Sequence, residues 1–113
     1  MNVTTTHSGD AVVLQIDEPR LTYPILSDFA SAATNLIGSG EKRIVIDLGA
    51  VNYVDSAAIG CLMDLHRQAT TAGGVLKLAN LQKRVETMLT MTGAHHFLQV
   101  YADQATALKS FGA

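Results

Sequence analysis

The sequence predicts an α/β fold, with a mixed, largely parallel sheet of about five strands and about four helices. Two observations carry this. Apolar residues alternate with period two in some stretches and recur at helical spacing in others. An opening hairpin is then followed by α-β repeats, in the order β-β-α-β-α-β-α-β-α, and such repeats need right-handed parallel crossovers.

Asn2 to His7 contains Val3, Thr4, Thr5 and Thr6, β-branched residues suited to an edge strand, and Ser8-Gly9-Asp10 supplies a turn. Ala11 to Ile16 sets Val12, Leu14 and Ile16 on one face and completes the hairpin. Asp17 to Pro24 is a loop holding Pro19 and Pro24. A helix follows over about Ile25 to Ile37, with Leu26, Phe29, Ala30, Ala33 and Ile37 on one side and Gly38-Ser39-Gly40 at its end. Arg43 to Leu48 is an apolar run that reads as a central strand covered on both faces. Asp55-Ser56 opens a helix that continues to about Ala72 and stops at Gly73-Gly74. Val75 to Ala79 is a strand, Gln82 to Thr92 a helix, Leu98 to Tyr101 a short last strand and Asp103 to Phe111 a closing helix.

Composition narrows the function. With 113 residues there is material for one core, so residues 1–113 read as one domain. Hydrophobic residues at 48% and charged residues at 16% exclude a disordered chain. A net charge of −2, without a dense Lys/Arg cluster, argues against nucleic acid as a partner. Cys61 is the one cysteine, so neither an internal disulfide nor a cysteine-built zinc site is expected. The start of the chain lacks a signal-peptide pattern, and no apolar stretch approaches bilayer-spanning length. The expectation is a cytoplasmic protein without direct membrane insertion.

The most informative stretch runs from Val51 through Asp55-Ser56-Ala57-Ala58-Ile59-Gly60 to Leu62. It joins a buried strand to a helix, the position where functional residues gather in open α/β sheets. Ser or Asp there accepts a hydrogen bond from an unpaired N–H of the first helical turn. The same N–H groups and the helix dipole tolerate a phosphate. Ser56 therefore reads either as a simple cap or as a modifiable hydroxyl, and residue pattern alone leaves both open. Ala57, Ala58 and Gly60 leave the first turn without bulky side chains, so a partner can approach closely.

Here the sequence resembles the STAS domain family, which includes bacterial anti-sigma factor antagonists and the cytoplasmic tails of sulfate transporters. The resemblance covers nearly the whole chain. It rests on the opening elements, on Ile44-Val45-Ile46-Asp47-Leu48, on Val54-Asp55-Ser56-Ala57-Ala58-Ile59-Gly60, on Gly73 through Ala79 and on Val85 through Gly93. In the antagonist branch the helix start usually reads Asp-Ser-Ser/Thr-Gly-Leu/Ile-Gly, and its first serine is phosphorylated. That serine corresponds to Ser56; Ala57 replaces the next hydroxyl residue and Ala58 the glycine. The resemblance implies an antagonist that binds a kinase-type anti-sigma factor when unphosphorylated and leaves it on phosphorylation of Ser56. A PP2C-like phosphatase then restores it. The protein would need no cofactor and would be no enzyme itself, since the ATP belongs to the partner. Asp55, Ser56, Ala57, Ala58, Ile59 and Gly60 are the expected contact residues. Thr22 and Tyr23 join them from the Asp17–Pro24 loop, where antagonists usually carry Gly-X-Leu-Asp and the aspartate aligns with Thr22. The alternative is a STAS docking subunit of a membrane transport complex, such as an ABC-type lipid transporter or an anion transporter.

Other polar residues read as structural. His66 lies beyond the first turns of its helix. His95-His96 form an adjacent pair expected to point apart, so no shared metal site is expected. No Gly-X-Ser-X-Gly elbow supports a hydrolase. Gly38-Ser39-Gly40-Glu41-Lys42 sits after a helix and before a strand, the reverse of a phosphate loop.

Overall fold

A computed structural model describes residues 2–112. Strands β1 (Val3–Ser8) and β2 (Ala11–Ile16) form the expected antiparallel hairpin, registered from Val3 opposite Ile16 to Ser8 opposite Ala11. Gly9 closes its turn at φ 60°, a left-handed conformation that glycine adopts without steric cost. The chain continues through β3 (Arg20–Leu21), a 3-10 turn (Tyr23–Ile25), α1 (Leu26–Gly38), β4 (Arg43–Asp47) and β5 (Tyr53–Val54). It ends with α2 (Ser56–Thr71), β6 (Val75–Ala79), α3 (Lys83–Thr92), a second 3-10 turn (Ala94–His96), β7 (Gln99–Tyr101) and α4 (Gln104–Lys109).

The main sheet has the order β1-β2-β4-β6-β7, parallel throughout except for the hairpin. Its five strands and the four helices match the predicted class. A separate two-stranded parallel sheet, β3 beside β5, was not foreseen. Two-residue strands are too short for a period to be read from sequence.

Strand alternation divides the side chains between two faces. Val12, Leu14 and Ile16 of β2, Ile44 and Ile46 of β4, and Leu76 and Leu78 of β6 form one buried layer. Against it pack Phe29, Ala33 and Ile37 of α1, Leu62 and Leu65 of α2, and Val85 and Leu89 of α3. The opposite face is covered by α4, whose Ala107 meets Val13, Val45 and Ala79.

That second face is partly charged, which corrects the reading of Arg43 to Leu48 as purely apolar. Asp47 and Lys77 are both buried there. Lys77 Nζ donates to Ser110 Oγ at 2.6 Å and lies 4.3 Å from the Phe111 ring centroid. Asp47 Oδ2 accepts from Gln104 Nε2, and its Oδ1 accepts from Gly49 N at 2.7 Å. The short helix α4 and the residues just after it thus supply the partners that two buried charges require.

Gly74, at the entry to β6, has no room for a side chain. A Cβ there would stand 2.7 Å from the Lys42 carbonyl oxygen and 3.0 Å from Lys42 Cα. That carbonyl accepts from Val75 N at 2.7 Å, so the backbone is not free to move aside. Gly74→Ala is expected to lower unfolding free energy by about 1–2 kcal/mol in a urea titration. By contrast, a Cβ on the helical Gly60 meets nothing within 4 Å. Gly60→Ala should stabilise the protein by up to about 1 kcal/mol through helix propensity.

Candidate functional site at the start of the second helix

Residues 48–54 carry the chain from the core strand β4 to the start of α2. Leu48 N donates to Ala79 O at 3.1 Å, Val51 N to Leu48 O at 3.0 Å and Asn52 N to Pro19 O at 2.8 Å. Val51 and Val54 are buried beneath the segment. The pairing of β3 with β5 sets Arg20 beside Tyr53 and Leu21 beside Val54. The loop before α1 is thereby laid against the helix start, which unites two regions distant in sequence.

Asp55 fastens this junction. Its backbone is extended (φ −96°, ψ 175°), and its Oδ1 accepts from Ala58 N at 2.8 Å, satisfying a first-turn donor. Its Oδ2 accepts from Tyr23 N at 2.9 Å. Asp55 is therefore the N-cap, and the reading of Ser56 as a cap is corrected. Ser56 is the first helical residue and is exposed, and its hydroxyl forms no hydrogen bond among the described residues.

The other predicted residues divide between surface and core. Ala57 and Gly60 are exposed, whereas Ala58 is fully buried and faces the core. Ile59 is 6% exposed, Thr22 is partly buried, and Tyr23 is 75% exposed. Within α2 the buried stripe is Ala58, Ile59, Leu62, Leu65 and Ala69; Met63 and His66 lie at its edge. His66 Nδ1 is buried without a hydrogen-bond partner. Cys61 is half-buried, and desolvation, aided by the Asp64 charge, pushes its thiol pKa up and away from a reactive thiolate. The rings of His95 and His96 do not point apart as expected. They stand 3.9 Å apart between centroids, because a 3-10 turn replaces the extended chain on which that expectation rested. Among the described residues no group of three or more His, Cys, Asp or Glu is placed to hold a metal ion.

Beside Ser56 lies a recess of about 380 Å³, lined by Tyr53, Asp55, Ser56, Ile59, Met88 and Met91. Met91 is 81% exposed, so one wall of the recess is a methionine open to solvent. Two guanidinium groups flank Tyr53: Arg20 at 4.5 Å from the ring centroid and Arg84 at 5.5 Å. Sequence reasoning missed Met88, Met91, Arg20 and Arg84. Its one usable signal was the i, i+3 spacing of the two methionines, which puts them on the same side of α3.

The architecture defines a class first: an α/β domain with an exposed hydroxyl at the first turn of a helix that follows a core strand. The chain belongs to the STAS domain family, whose profile matches residues 2–107. A provisionally assigned anti-sigma factor antagonist of Thermotoga neapolitana is 25% identical over 73 residues, which are 65% of this chain and 65% of that one. The alignable region thus spans just under two thirds of that relative. Among solved structures, the anti-sigma factor antagonist SpoIIAA in its unphosphorylated form superposes with a TM-score of 0.80 at 15% identity, covering 97% of this chain and 96% of its own. The murine anion transporter Slc26a9 contains a similar fold: TM-score 0.77 and 19% identity, over 91% of this chain and 18% of the transporter. At these identities the two structures establish the shared fold. No helix among the described residues is long and apolar enough to cross a membrane.

Proposed function

We propose that the chain is an anti-sigma factor antagonist, docking to a kinase-type anti-sigma factor until that partner phosphorylates Ser56. One observation carries the reading: the Ser56 hydroxyl is exposed and unbonded because Asp55 performs the capping. A serine engaged as a cap would have to surrender that bond to react; Ser56 has nothing to surrender. In the reaction Ser56 Oγ attacks the γ-phosphorus of ATP held by the partner. The hydroxyl proton passes to a base of the partner, and ADP leaves. The product carries roughly −1.5 to −2 charges on a surface already bearing Asp55, so a partner seated there is repelled. A PP2C-like phosphatase hydrolyses the ester and restores the binding form. Ala57, Gly60, Thr22 and Tyr23 provide the surrounding contact surface, with Ile59 at its floor. The name of the Thermotoga relative supports the antagonist part of this reading.

The test is to incubate the protein with its cognate kinase and ATP and map the phosphate by mass spectrometry. Phosphate is expected on Ser56 and absent from Ser56→Ala, which should still bind. Ser56→Asp is expected to weaken binding tenfold or more, about 1.4 kcal/mol. Phosphate on another residue, or unchanged affinity of Ser56→Asp, rejects the switch. A second reading, a docking subunit of a membrane transport complex, is favoured by the fold shared with the Slc26a9 segment. Recovery of a transporter subunit in place of a kinase, in purification from the native cell, would support it.

A further inference from the structure

We propose that Arg20 and Arg84, held on the ring of Tyr53, receive the phosphate of phosphorylated Ser56 and seat it in the adjoining recess. The modification would then occupy the docking surface as well as charge it. The inference rests on the reading of Ser56 as a phosphosite.

The arginines point to this by their pairing. The chain has four: Arg20, Arg43, Arg67 and Arg84. Arg43 meets Asp10 at 3.3 Å and Arg67 meets Asp64 at 3.1 Å. Arg20 and Arg84 form no ion pair with a carboxylate among the described residues. They come from different elements, β3 and α3, yet converge on one aromatic ring. The two charges thus lie within about 10 Å of each other, one screening length at ordinary ionic strength. A pair of like charges held that close favours an anion between or beside them, and guanidinium groups match the geometry of phosphate oxygens.

Tyr53 precedes Ser56 by three residues, and both line the same recess. Asp55 is the carboxylate of that lining, and its two oxygens already accept from Ala58 N and Tyr23 N. Among the described residues it forms no ion pair with either arginine. Of the remaining walls, Val54, Ile59, Met88 and Met91 are apolar, and the hydroxyl of Thr92 is engaged in donating to Leu89 O at 3.0 Å. The apolar walls also lower the local dielectric, which strengthens the attraction of a phosphate to the cations.

The experiment installs phosphoserine at position 56 during synthesis, so that no kinase is involved. The ³¹P signal is then titrated with pH in the natural sequence and in Arg20→Gln/Arg84→Gln. Both arginines are exposed, and thermal melting of the unphosphorylated forms verifies that the double variant is folded. Free phosphoserine loses its second proton near pH 6. In the natural sequence that step is expected at least about half a pH unit lower than in the double variant, because nearby cations favour the dianion. The helix N-terminus is common to both proteins and cancels in the comparison. Raising salt from about 0.05 to 0.5 M should close most of the gap. Coincident titrations in the two proteins overturn the proposal. Its failure would leave the Ser56 switch intact, and a Ser56 that no kinase modifies would leave the ³¹P result standing.

Discussion

Asp47→Ala is expected to remove roughly 3–4 kcal/mol of unfolding free energy, read as a shifted midpoint at unchanged slope in a urea titration. The carboxylate is 3% exposed and sits at the end of β4, on the face covered by α4. It accepts from Gly49 N, from Gln104 Nε2 and, at 3.4 Å, from Asn80 Nδ2. Hydrogen bonds to a charged group contribute about 1.5–3 kcal/mol each, and truncation removes the acceptor from the partly buried Gly49 N–H. Gln104 can turn to water, which limits the loss; the Gly49 N–H cannot turn. Neighbouring side chains also crowd the site. Asn80 is held at φ 62°, and a Cβ on Gly49 would meet Asn80 Nδ2 at 2.4 Å. Asp47→Asn should cost less, about 1–2 kcal/mol, because its oxygen still serves Gly49 and a flipped Gln104 amide can accept from its nitrogen. Equal losses for the two variants would show that the charge, which both remove, matters there rather than the volume and the oxygen that asparagine keeps.

Asp47 also shows where sequence reading reaches its limit. Val12, Leu14 and Ile16 announce a strand because they alternate onto the sheet face that α1, α2 and α3 cover, and a two-residue repeat is visible locally. Asp47 and Lys77 place charges in their strands, and one partner of each comes from α4 or the residues just after it, 57 residues beyond Asp47 in the case of Gln104. No local pattern encodes such a partner. The site divides in the same way. The Asp55-Ser56 junction was legible because strand-to-helix transitions have a residue chemistry. Which of the two caps was not legible, since both side chains are good acceptors by type. The choice was made by the extended backbone of Asp55 and by Tyr23 N, which claims its second oxygen from 32 residues away. Arg20 and Arg84 stayed hidden for a related reason: a convergence on Tyr53 from β3 and α3 exists only after the β3–β5 sheet has formed.

Asp55→Ala carries the second large effect, an expected loss of about 2–3 kcal/mol. One part is the helix cap, worth about 1 kcal/mol in most proteins. The other is the bond from Tyr23 N, which ties the loop ahead of α1 to the start of α2. Asp55→Asn separates the two contributions. Its single oxygen can continue to cap through Ala58 N, while its amide nitrogen presents a donor to the Tyr23 N–H, which is also a donor. Amide hydrogen exchange should therefore accelerate at Tyr23 in both variants, but at Ala58 only in the alanine variant. Because that bond holds the Tyr23 backbone against the residue that precedes Ser56, its release also predicts weaker docking with the Ser56 hydroxyl untouched. Unchanged protection of Tyr23 in Asp55→Asn would mean that the β3–β5 pairing holds the loop unaided and that the carboxylate acts on the helix only.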